Sequence, residues 1–170
     1  MFRYSIIAVL VFSISLLMIS HASFSQSNQA EINTLKGIKG IGVSVEDIDA
    51  DAVAEGLNKD KLLQLITQKL KKSGVKVLTD LELRTVSGQP KLVLNINSIK
   101  QPGPIYIFTT TLDLTQIVLL ERNKGLTSVS PTWTVLTTGG SLPEDLVATV
   151  QASIDPMLES FITDYKKANP

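Results

Sequence analysis

Apolar and polar positions along the chain change period several times, and each change marks an element. An uninterrupted apolar run, Ser5 to Ile19, follows Arg3 and gives way to the small and polar residues Ser20 to Gln26. From Ile38 to Ile48 the pattern alternates, with Ile41, Val43 and Val45 on one side, which predicts a strand. Helical spacing takes over at Leu62, Leu63, Ile66 and Leu70, with Asn58 placed to cap the start, lysines in the last turn and Gly74 after it. Val75 to Leu78 predicts a short strand. Thr79 with Glu82 is a capping-box pair that opens a brief helix ending before Ser87, Gly88, Gln89 and Pro90.

The second half is mostly strand. Leu92, Leu94 and Ile96 alternate with Val93, Asn95 and Asn97, and the turn Gln101 to Pro104 leads into the long β-branched run Ile105 to Glu121, so the two runs form a hairpin. Asn123, Lys124 and Gly125 signal a further turn into a strand from Thr127 to Thr137, in which strict alternation puts Val129, Pro131, Trp133 and Val135 on one face. Pro131 argues for an edge position, because proline has no donor for a ladder. Ser141 with Glu144 reads as a second capping box, opening a helix with a stripe from Leu146 to Tyr165 that Pro156 should kink or split. The predicted fold is α/β of the α+β kind: one mixed sheet of about five strands in the order β-α-β-β-β-α, with two main helices packed on it.

The N-terminal pattern sets the compartment. A basic residue, an apolar run of about 15 and a small-residue region are the three parts of a secretory signal peptide, and the run falls short of the ~20 residues of a membrane span. Cleavage after Ala22 or after Ser25 both fit. Residues 1–25 are therefore expected to be a signal peptide, 26–35 a flexible lead-in and 36–168 a single domain, in a protein that is exported to the periplasm or beyond. The 170 residues carry 16 basic and 16 acidic side chains and no cysteine. An exported chain without cysteine has no disulfide, so a packed core must hold it. Its balanced charge draws neither nucleic acid nor anionic lipid.

The stretch LLQLITQKLKKSGVKVLTDLEL (Leu62 to Leu83), followed by the strand PKLVLNINSI, resembles the core of exported envelope domains: the N-terminal domain of TolB-type proteins, the curli-secretion lipoproteins and the lipoprotein activators of penicillin-binding proteins. The C-terminal FITDY (Phe161 to Tyr165) is similar to the closing helix of small exported bacterial proteins. The resemblance implies a binding or assembly role in the envelope. The chain departs from the lipoprotein members in having no cysteine to lipidate.

Candidate chemistry is narrow. The one histidine, His21, lies in the cleavage region, so the mature chain has neither imidazole nor thiol. That excludes cysteine nucleophiles, Ser-His-Asp triads and the usual zinc, copper and haem ligand sets. No SxxK motif points to a serine nucleophile paired with lysine. Carboxylates cluster from Glu46 to Glu55. Asp47, Asp49 and Asp51 have the spacing of the first three calcium ligands of an EF-hand loop, but Ala52 stands where that loop needs glycine and Asn58 where it needs glutamate. The segment reads as a solvated connection, with Asp47, Asp49 and Asp51 as candidate oxygen ligands for calcium. Gly37, Gly40 and Gly42 open a strand and do not form a phosphate loop. No cofactor is expected. The function expected is a non-enzymatic envelope module that binds a protein partner or itself, through the exposed strand around Trp133, with Val129, Pro131 and Trp133 as the contact candidates, or through a sheet face. The alternative is a carboxylate-dependent cation binder or enzyme working at Glu46 to Glu55.

Overall fold

The computed structural model describes residues 27–170; the signal peptide predicted for residues 1–25 lies outside them. Asn28 opens the first helix, α1 (Gln29–Thr34), through a reciprocal capping box with Glu31. Most of the expected lead-in is thus a capped helix, and its Ile32 and the following Leu35 are buried. Strand β1 (Gly42–Val45) comes next, then α2 (Ala50–Ala54), α3 (Lys59–Lys72) and α4 (Asp80–Thr85). Three long strands follow, β2 (Lys91–Lys100), β3 (Tyr106–Leu120) and β4 (Asn123–Ser141), and the chain closes with α5 (Leu146–Ala168).

The described strands form one mixed sheet in the order β1-β2-β3-β4, with β1 parallel to β2 and the rest antiparallel. The sheet has four strands, not the five expected. Val75 to Leu78 makes only an isolated bridge between Val77 and Ile41, held by two backbone hydrogen bonds. Thr79 caps α4 immediately afterwards and turns the chain away before a ladder can grow. Gly40 permits this close crossing, since a Cβ there would lie 2.9 Å from the Leu78 side chain.

Two helix predictions are corrected at the C-terminal end. Ser141 does not cap a helix; it is the last residue of β4, paired with Tyr106, and a 3-10 turn (Pro143–Asp145) intervenes before α5. Pro156 does not divide α5 into two. It lies on the exposed side of the helix, as does Ala152, whose carbonyl loses its intrahelical donor there and can turn to water. The Asn58 cap and the Thr79 capping box are both present.

The core lies on one side of the sheet. Leu62, Ile66 and Leu70 of α3 and Val150, Ile154 and Phe161 of α5 are buried over the inward residues of the strands. Phe161 meets Trp133 edge to face at 5.1 Å. Gly139 leaves room for the ring of Phe108, which a Cβ would approach to 2.7 Å.

Candidate functional site

Trp133, the aromatic residue expected at a contact surface, is fully buried. Its indole N–H donates to the buried carboxylate of Asp164 on α5 at 2.9 Å, and the Ser27 hydroxyl donates to the same oxygen. Both the ring and its polar edge are therefore used internally.

Strict alternation along β4 fails one residue earlier. Leu114 pairs with Trp133 but Thr115 pairs with Pro131, so Thr132 is an extra residue in the ladder, a β-bulge. Side chains anchor it on both sides. Its hydroxyl donates to the Leu114 carbonyl and accepts from Gln116 Nε2 at 2.8 Å, while Thr34 of α1 donates to its carbonyl. One inserted residue reverses the face of everything before it. Trp133 and Val135 point into the core, and Val129 and Pro131, expected on the same face, are exposed beside the outward residues of β3. The two exposed candidates and the tryptophan thus belong to different environments.

Val129 turns onto the outward face of the sheet, and a sheet face is the second contact surface the sequence suggests. The outward positions of β2, β3 and β4 are half-buried or exposed, and no helix among the described residues covers them. Register joins the strands into rows: Ile99 beside Ile107, Asn97 beside Thr109 and Thr138, Asn95 beside Thr111 and Leu136, and Ile117 beside Val129. Exposed apolar side chains stand at both ends, with Leu136 between them. Ile99 (64% exposed) and Ile107 form one end, and Ile117, Leu119 (65%) and Val129 (68%) the other. Asp113 occupies the middle and accepts a hydrogen bond from Thr134 at 2.7 Å. Burial holds its carboxyl above the usual carboxylate range, against that hydrogen bond. A sequence signal for this face existed in the alternation of Thr109, Thr111 and Thr115 with buried Phe108, Thr110, Leu112 and Leu114.

Beyond Leu114 the β3–β4 hairpin continues as an arm to Leu120 and Asn123, where Glu121 and Arg122 form the turn. The turn lies two residues earlier than the Asn123-Lys124-Gly125 signal predicts. β4 accordingly begins at Asn123 and not at Thr127.

The acidic segment is dispersed. Asp47 forms an exposed ion pair with Lys59 at 2.7 Å, and that hydrogen-bonded ammonium holds its carboxyl below the usual range. Asp49 turns to β2 and accepts from the Ser98 backbone N–H at 2.9 Å and from its hydroxyl at 3.1 Å. Glu55 accepts from the Tyr106 hydroxyl at 3.1 Å and lies 3.5 Å from the Lys100 ammonium. Asp51 starts α2. Among the described residues no three acidic or histidine side chains gather as metal ligands. Nor is any described helix long and apolar enough to cross a membrane.

No family model matches the chain, and no curated protein matches it. Among solved structures, the crystal structure of a minor lipoprotein from Acinetobacter baumannii aligns over 74% of this chain and 82% of its own, at 12% identity and a TM-score of 0.24. A likeness of that degree carries neither fold nor function.

Proposed function

We propose that this chain is an exported, non-enzymatic module of the cell envelope that binds a protein partner through the open face of its sheet. The observation that carries this reading is the exposed outward surface of β2, β3 and β4, with Ile107, Ile117, Leu119, Val129 and Leu136 all more than a third exposed. Apolar side chains gathered on one face, away from the core, are what a partner surface needs. The export assignment rests on the N-terminal sequence pattern. Of the two contact surfaces suggested by the sequence, the strand around Trp133 and a sheet face, this reading takes the sheet face, which Val129 shares with β3.

The test is capture of partners by the tagged, processed protein from its own envelope fraction, with calcium and with chelator. A partner retained under both conditions and lost from Leu136→Arg supports the reading. A partner that leaves on chelation, or one indifferent to Leu136→Arg, overturns the assignment of this face.

A further inference from the structure

The open face has a charge pattern and a symmetry that single out one occupant. Its outward positions from Lys91 to Ile99, from Ile107 to Leu119 and from Thr127 to Gly140 carry two charges, Lys91 and Asp113, one of each sign. In a two-fold interface each patch meets its own copy, so an excess of one sign would repel itself. This face has none.

Asp113 lies six residues from Ile107 and six from Leu119 along β3. At about 3.3 Å per residue the two apolar ends sit roughly 20 Å to either side of it. A two-fold axis across the strands at this midpoint lays Ile107 of one copy on Leu119 of the other, twice, and brings the two Asp113 side chains together at the axis. The same axis sets the Asn95–Thr111 row of one copy on the Lys91–Thr115 row of the other, where amide, hydroxyl and ammonium groups can exchange hydrogen bonds, and the Asn97–Thr109–Thr138 row on Ile117 and Val129.

Size is adequate as well. About 40 Å each of β3 and β4 and about 26 Å of β2, at about 4.8 Å spacing, make on the order of 500 Å² in projection, and side-chain relief raises this toward the ~800 Å² per partner of a standard interface. The chain's own N-terminus cannot fill that area once cleaved at either expected site. At most four residues, Ser23 to Gln26, would precede Ser27, a reach of about 14 Å.

We infer that the open sheet face binds a second copy of this chain, sheet against sheet, about a two-fold axis at Asp113. This rests on the reading of that face as the binding surface and names its occupant. A row of threonine and asparagine side chains through the middle suits another hydrogen-bonding sheet, and would be costly against lipid chains.

The experiment is light scattering and sedimentation equilibrium on the processed protein up to about 100 μM, a concentration that populates any dimer with a Kd below that value. The expected result is a dimer that Thr111→Arg and Leu136→Arg each weaken by at least about tenfold, while Gln68→Arg on the exposed side of α3 leaves it unchanged. Both face positions are outside the core, and a thermal melt confirms that the variants fold. A wild-type dimer indifferent to both face variants overturns the inference, as does a wild-type monomer. The monomer case also separates the two readings. If the monomer still captures an envelope partner that Thr111→Arg loses, the second-copy inference falls and the binding face stands; if it captures nothing, both fall.

Discussion

The two halves of β4, divided at Thr132, have similar composition and opposite situations. On the C-terminal side Trp133 and Val135 are sealed beneath α5, with the indole tied to Asp164. On the N-terminal side Val129 stands two-thirds exposed on the outward face of an arm whose other face meets α1 through Thr34 at Gln116 and Thr132. Valine and threonine recur in both. The difference lies in what packs on the strand and in the one inserted residue that decides which face each side chain takes.

The widest gap should appear in stability. Trp133→Ala removes the largest buried side chain and leaves Asp164 without its indole donor, which should cost about 3–5 kcal/mol, whereas Val129→Ala should stay within about 0.5 kcal/mol. Urea denaturation of the two variants tests this, and equal losses would abolish the distinction between the halves.

A smaller effect is expected at Asp113, in the middle of the open face. Its folded-state carboxyl is raised by burial, so the ionised form opposes folding, and stability from this group grows as pH falls through its folded value. Association of two faces at Asp113 adds a second carboxylate near the first. Lys91 on β2 is the nearest cation in the register, and the facing residues of β4, Thr134 and Leu136, carry no charge. The dimer should therefore tighten as pH drops toward the carboxylate range. Asp113→Asn should raise stability by less than about 0.5 kcal/mol and remove that pH dependence. Sedimentation at pH 7 and pH 5 reads the second effect; a dimer that tightens equally in the variant would remove Asp113 from the interface.

The least effect is expected from the acidic segment. Asp47 pairs with Lys59 in open solvent, a contact of little net value. Asp47→Asn combined with Asp49→Asn should leave the melting temperature equally insensitive to calcium, as in the unaltered protein. A calcium-dependent rise in the wild type that the double variant loses would instead revive the cation-binding alternative.

Much of the chain was legible from local signals. Asn58 and Thr79 cap helices because a side-chain oxygen followed by free backbone donors is a local arrangement. The β2–β3 turn also falls where Gln101 to Pro104 places it, with Gly103 in the left-handed region. Where prediction failed, the decision was made by distant residues. Ser141 carries the spacing of a cap but is held in the ladder by Tyr106, 35 positions away in sequence. Val75 to Leu78 has the composition of a strand but finds a single bridge.

The candidate site divides the same way. Alternation along β3 by itself determined that Phe108, Leu112 and Leu114 would share a face and that Thr109, Thr111 and Asp113 would share the other, because successive side chains of a strand point to opposite sides. Composition likewise determined that the chain has no thiol and that residues 27–170 carry no imidazole. Only tertiary structure decided which of those faces receives the helices, and that Thr132 would be an extra residue, fixed by Leu114, Gln116 and Thr34. A bulge is a property of two paired strands, so no single run of residues could reveal that Val129 and Trp133 look in opposite directions.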